Sequence, residues 1–234
     1  MRVLTQRKRE SIMLGETALQ TLLFVFEGVG VVAFALSGAL AAVRKRLDVV
    51  GVVVVAFLTA MAGGTLRDVL LDRSPLFWVE HEYWLWVIIA IGVGSAIILR
   101  SRHFEPTSRA IQWPDALGLG VFAAAGTQIA LDMDSSPLIA TLMGVISAVT
   151  GGILRDVMLN DLPWVVASFQ LYAILAFGGG LMVWGIGAVG GSPQLAVTVG
   201  ALSITLARVL SLAFNWSLPN WRKDDHTGTI ELPR

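Results

Sequence analysis

Two arginines in this 234-residue chain stand inside apolar runs long enough to cross a membrane. Arg67 and Arg155 each follow a double glycine by one helical turn, in the repeated motif Gly-Gly-x-Leu-Arg-Asp-Val at 63–69 and 151–157. An arginine at the centre of a bilayer costs roughly 2.5–3.5 kcal/mol on insertion scales, so such a group faces protein or water. Side chains three or four apart share a helix face, which aligns Thr59, Gly63 and Arg67, and again Ser147, Gly151 and Arg155. A hydroxyl, a bare backbone and a cation in a row, twice over, have the chemistry of a wall along a water-filled path. The paired glycines (Gly63, Gly64, Gly151, Gly152) each lower helix propensity by about 1 kcal/mol relative to alanine and permit a kink. The ladders Ala56-Ala60-Gly64 and Gly144-Ala148-Gly152 suit close helix packing as well, and Arg67-Asp68 suits a snorkelling cap at headgroup level.

Three more charges sit in apolar surroundings: Glu27, Asp115 and Arg208. Asp115 follows Pro114, where an acidic residue is favoured by the helix N-terminus; Glu27 lies deeper in its apolar run and calls for a partner or water. Arg208 leaves an ion pair and a subunit contact both open.

A shift of 88 residues superposes the two halves of the chain without a gap. Glu27 meets Asp115, Gly30 meets Gly118, Phe34 meets Phe122, Gly38 meets Gly126, and Arg67-Asp68 meets Arg155-Asp156. From Ala60 to Pro75, nine of sixteen positions are identical to their partners, far beyond what a shared apolar composition yields. The halves are copies.

The elements that carry these residues follow from composition. The chain is 55% hydrophobic and only 15% charged, with a mean hydropathy of +0.72; an ordinary soluble domain carries roughly 25% charged residues. Predicted helices run over 21–43, 49–72, 83–100, 114–131, 137–159, 168–187 and 194–218, separated by short polar, proline-marked connections. The fold class is therefore all-α integral membrane, with seven transmembrane helices. Three helices per copy is an odd number, so the second copy enters the bilayer upside down, the arrangement of inverted-repeat transporters. The expected organisation is an N-terminal extracytoplasmic segment (1–20), repeat 1 (21–100), repeat 2 (114–190), a seventh helix (193–218) and a cytoplasmic tail (219–234). The loops after the first, third and fifth helices, with the C-terminus, collect most of the Lys and Arg, which places the N-terminus outside and the C-terminus in the cytoplasm. The basic stretch Arg2 to Arg9 pulls the other way.

Other classes find no support. With 17 basic against 17 acidic residues there is no basic surface for nucleic acid. There is no cysteine, and the three histidines (His81, His103, His226) lack ligand spacing and fit solvated loops, so no metal or other cofactor is expected. No phosphate-binding Gly-x-x-x-x-Gly-Lys-Ser/Thr loop occurs, so no energy-coupling module is expected and no enzyme activity.

The paired Gly-Gly-x-x-Arg-Asp motifs, the doubled small-residue stretch Phe34-Ala35-Leu36-Ser37-Gly38 and Phe122-Ala123-Ala124-Ala125-Gly126, and the seventh helix with Arg208 resemble the prokaryotic trimeric intracellular cation (TRIC) channels. That family's domain also bears the description of a bacterial glycine transporter. The resemblance implies a homotrimer in a prokaryotic plasma membrane. It implies a pore in each protomer, lined by the second and fifth helices kinked at the double glycines and conducting K+ and Na+. Pore and hinge residues would then be Ser37, Thr59, Gly63, Gly64, Arg67, Asp68, Ser147, Gly151, Gly152, Arg155 and Asp156. Animal members bind a phosphoinositide through Lys-Glu-Val in the fifth helix, so the resemblance implies a bound lipid; here the corresponding stretch reads Arg155-Asp156-Val157, a departure from that motif. A small-solute permease, with glycine as substrate, is the alternative, since broken inverted helices serve alternating access as well as a pore.

Overall fold

The computed structural model describes residues 2–101, 106–167 and 171–216, all of whose regular structure is helical. Seven long helices appear: α1 (Arg2–Arg44), α2 (Val49–Leu70), α4 (Tyr83–Ser101), α5 (Ser108–Asp132), α6 (Pro137–Met158), α8 (Ala173–Ala188) and α9 (Pro193–Ala213). Two four-residue helices, α3 (Phe77–Glu80) and α7 (Trp164–Ala167), follow α2 and α6. The expected tail at 219–234 lies outside the described residues, as do His103, His226 and the first residues of the predicted sixth helix.

Helix starts are set locally. Asp48 accepts a hydrogen bond from the Gly51 amide at 2.7 Å, Thr107 from Ala110 at 3.2 Å and Ser192 from Leu195 at 3.3 Å, while Ser136 precedes a proline at the first helical position. Asp48, Thr107 and Ser192 each occupy one of the donors a helix start leaves unpaired, and Pro137 removes one at the start of α6. Helix ends are set by residues at positive φ: Arg46 and Asp134 after α1 and α5, and Asp72 and Asn160 after α2 and α6. Each pair is separated by 88 residues, so the left-handed exits are duplicated along with the helices.

Two predicted boundaries move. The first helix begins at Arg2 rather than near 21. Residues 2–20 are rich in Arg, Lys, Glu and Leu, strong helix formers that carry no hydropathy signal, so the helix continues beyond its apolar stretch Gly15–Arg44. The fourth predicted helix starts at Ser108 rather than 114, because Thr107 caps it and Pro114 falls in its second turn, where few upstream carbonyls are disturbed.

In each copy three long helices pack as a bundle: α1, α2 and α4, then α5, α6 and α8. The bundles meet through α1 against α5 and α2 against α6, and α9 packs on α5 and α8. Every residue of α5 from Gly118 to Ala130 is buried, making it the central helix. The contacts between copies are reciprocal. Phe34 and Phe122 stack with centroids 5.3 Å apart and planes inclined by 8°. A Cβ added to Gly118 would meet the Phe34 ring at 2.5 Å, and one added to Gly30 would meet the Phe122 ring at 2.6 Å. Such exchange marks a pseudo-two-fold axis between the copies, and because the copies run in opposite directions it lies in the membrane plane.

Candidate functional site

The predicted charged residues assemble into two clusters, one near the C-terminal end of α2 and one near that of α6. In the first half-site Arg67 is wholly buried; its Nε donates to Asp68 Oδ1 at 2.8 Å and its Nη2 to Glu27 Oε1 at 2.7 Å. Asp68 is fixed by its other oxygen, which accepts the Phe77 amide at 3.0 Å at the start of α3. In the second, Arg155 Nε donates to Asp156 Oδ1 at 2.8 Å and Nη1 to Asp115 Oδ1 at 2.6 Å. Asp156 in turn accepts the Trp164 amide at 3.0 Å at the start of α7. The short helices thus exist because a buried carboxylate, eight or nine residues upstream, satisfies a free amide in their first turn.

A charge removed from water survives only when paired and hydrogen-bonded. Each arginine here faces two carboxylates and an aromatic ring: Phe77 with its centroid 5.9 Å from Arg67 Cζ, Trp164 at 4.3 Å from Arg155 Cζ. Ser37 bridges the copies, donating to the Ile111 carbonyl at 3.0 Å and accepting from Arg155 Nη1 at 2.7 Å. Among the described residues, Arg67 Nη1 and Ser147 Oγ are buried without a hydrogen-bond partner. Arg208 of α9 is buried with its Cζ 4.9 Å from the centroid of the Tyr172 ring.

The face that carries Thr59, Gly63 and Arg67 does not face water in this conformation; it forms the crossing of α2 with α6. A Cβ on Gly63 would lie 1.8 Å from the Ser147 carbonyl oxygen, and one on Gly151 would lie 2.1 Å from that of Thr59. Both helices run unbroken through their double glycines. Thr59 and Ser147 are fully buried, and Thr59 Oγ1 donates to the Val55 carbonyl at 2.6 Å.

Two polar cavities approach this crossing from opposite faces of the membrane. The first, of about 550 Å³, is bounded by Glu27, Arg73, Glu80 and His81 at the side where α2 and α5 end. The second, of about 470 Å³, is bounded by Arg44, Lys45, Arg155, Asp156 and Asp161 at the side where α1 and α6 end. They share no lining residue. Glu27 of the first half-site lines the first cavity, Arg155 and Asp156 of the second line the second, and no residue of the glycine crossing lines either. At the second mouth Lys45 pairs with Asp161 at 2.5 Å, both half-exposed.

Sequence reasoning named both arginines with their four acids, the hydroxyls and Arg208. It missed Arg73, Lys45, Asp161, Tyr172 and the two rings under the arginines. Arg73 and Asp161 are partners at the 88-residue offset, and that pairing was the available signal.

Comparison with known proteins places this geometry. The family model described as a glycine transporter matches residues 24–101 and again 112–188, the second match starting one repeat length after the first. A UPF0126 membrane protein of Vibrio cholerae is 38% identical over 207 residues, covering 88% of this chain and 86% of the relative. The inner membrane protein YadS of Escherichia coli K12 is 32% identical over 210 residues, covering 88% and 99%. The TRIC trimeric intracellular cation channel orthologue of Rhodobacter sphaeroides superposes with a TM-score of 0.75 at 34% identity, over 84% of this chain and all of that one. A prokaryotic TRIC channel crystallised in 0.5 M KCl gives a TM-score of 0.78 at 28% identity, over 85% of this chain and all of the other. The chain belongs to the family described as glycine transporters, and it is a multi-pass integral membrane protein with the fold of the prokaryotic TRIC cation channels.

Proposed function

We propose that the protein is a passive channel for K+ and Na+ in the bacterial inner membrane, with one pore in each protomer of a homotrimer. The observation that carries this is the pair of polar cavities, one lined by Glu27 of the first half-site and the other by Arg155 and Asp156 of the second, with the α2–α6 crossing closely packed at its glycines. The second half-site sets the one buried guanidinium of Arg155 against two carboxylates, so its local field favours a cation, as acidic linings do in cation channels, while in the first the part-exposed Arg73 joins Arg67 on Glu27 and Asp68. The conformation described is the closed one. Opening draws Gly63 away from Ser147 and Gly151 away from Thr59, with the double glycines as the compliant points of α2 and α6, and exposes Thr59, Ser147 and Ser37 to the path. The relatives named above support the trimer and the cation. The N-terminus is outside and the C-terminus cytoplasmic on this reading, and a bound lipid is admitted as a regulator.

Planar-bilayer recording of the purified protein tests the proposal. K+-carrying openings are expected, and their absence across voltage and ionic conditions sinks it. A glycine permease is the second reading, favoured by the closed midplane with a cavity on either side, which alternating access requires. Saturable glycine uptake into proteoliposomes, driven by an ion gradient, would establish that reading instead.

A further inference from the structure

The half-sites are copies, but their partners differ. Arg155 is held by Asp156, Asp115 and Ser37, and lies against the Trp164 ring. Ser37 comes from the other copy, and the residue 88 positions on is Ala125. No hydroxyl is offered to Arg67, whose buried Nη1 has no hydrogen-bond partner among the described residues. The fifth residue after each motif aspartate also differs: Arg73 in the first copy, Asp161 in the second. Arg73, its side chain 34% exposed to the first cavity, reaches Asp68 Oδ1 at 3.4 Å and Glu27 Oε1 at 3.9 Å, the same two oxygens that hold Arg67. Asp161 turns outward to Lys45. The further cation near the second half-site, Arg208, is instead buried on α9 beneath the Tyr172 ring.

We infer that Arg73 is a stand-in cation that makes the first half-site the one that yields. Resting on the reading of the half-sites as closures of a conducting path, the inference assigns them unequal roles. Removing a partner from a buried ion pair leaves an uncompensated charge, and this is what holds such a site shut. When Arg67 swings away, Arg73 can close on Glu27 and Asp68 from the solvated side, so neither carboxylate is left bare. The half-exposed cation on the second side, Lys45, is instead held by Asp161 at 2.5 Å, and among the described residues no ion pair joins it to Asp115 or Asp156. Arg73 is therefore a positioning residue acting through Arg67, and Ala125 contributes by leaving Arg67 one bond short.

The absence of cysteine allows a direct test, because any introduced thiol is unique. Ser147 is level with Gly63, one turn deeper than Arg67 as seen from the first cavity; Thr59 is level with Gly151, one turn deeper than Arg155 as seen from the second. Ser147→Cys and Thr59→Cys proteins in lipid nanodiscs, with both faces accessible, are treated with a cationic methanethiosulfonate. The Ser147→Cys thiol is expected to react roughly tenfold faster, the ratio that one hydrogen bond of net strength confers. Arg73→Gln should slow Ser147→Cys and leave Thr59→Cys unchanged, and Arg73→Lys should restore the rate. Ala125→Ser, which leaves every charge in place, should also slow Ser147→Cys alone. Equal rates at the two thiols, or equal slowing of both by Arg73→Gln, overturns the inference. Bilayer recording of the same proteins separates it from the channel reading: unequal labelling without K+ current sustains the asymmetry and fails the channel, while current with equal labelling does the reverse.

Discussion

Replacing both Gly63 and Gly151 by alanine sets two effects of opposite sign against each other. Alanine raises helix propensity by about 1 kcal/mol per site. The added methyls, however, would meet backbone carbonyl oxygens at 1.8 Å and 2.1 Å, those of Ser147 and Thr59. Each lies roughly 1.5 Å inside ordinary contact distance. No rotamer change relieves a clash with backbone, so α2 and α6 must separate along their crossing, and overpacking of that rigid kind costs about 3 kcal/mol per site. The net loss for the double variant is about 4 kcal/mol, which for a chain of this size lowers Tm by roughly 10 °C. Thermal unfolding of the detergent-solubilised protein measures it, and single-channel recording on the same preparation gives open probability. Ser147→Gly or Thr59→Gly in the same background should rescue nothing, since the obstacle is the carbonyl and not the side chain. A melting temperature within about 2 °C of the parent, with altered gating, would refute the steric reasoning and make the glycines hinges first.

Further outcomes follow from the same geometry. Asp115→Asn leaves Arg155 with one carboxylate fewer in a buried site and should cost about 3–5 kcal/mol; Glu27→Gln should cost less because the cation it strands, Arg73, has a side chain 34% exposed and can be solvated, and chemical unfolding of the two variants ranks them. Phe34→Ala removes half of the stacked pair and should lose about 3–5 kcal/mol by thermal melting, whereas Phe34→Leu stays well below that. Gly64→Ala should be more damaging than Gly152→Ala, since the first methyl meets the Phe77 ring at 2.4 Å and the second meets the Tyr172 hydroxyl at 3.2 Å; equal melting temperatures would contradict this. Lys45→Ala should change Tm little, because a half-exposed ion pair contributes about 0–1 kcal/mol.

Apolar runs were enough to locate seven helices, and the 88-residue offset was enough to pair Glu27 with Asp115 and Arg67 with Arg155 before any contact was known. What the residues could not disclose is contact across the copies. Nothing local links Ser37 to Arg155, 118 residues away. Nor does any pattern say that Gly63 rests on Ser147, so a face read as lining a path forms the close crossing of α2 with α6. The four-residue helices α3 and α7 are too short for periodicity and take their caps from Asp68 and Asp156 far upstream, where a search for local caps finds none. The N-terminal part of α1 escaped because Arg, Lys and Glu form helix without raising hydropathy. Arg208 stood out as a buried charge, but the Tyr172 ring against it comes from another helix start with no motif to mark it.

The reciprocal stacking of Phe34 on Phe122 makes the protein an isologous dimer written on one polypeptide, in which each surface must match its own counterpart. A change at one such position alters only one side of the fit and leaves its counterpart unmatched, so the same residue is kept at both. Positions away from the axis touch different neighbours and carry no such obligation. Glycine stands at both 30 and 118 and at both 63 and 151, and phenylalanine at both 34 and 122, while 37 and 125, 73 and 161, and 84 and 172 have parted company. Self-complementarity thus preserves the shape of the joint and leaves the chemistry of the two mouths free to diverge.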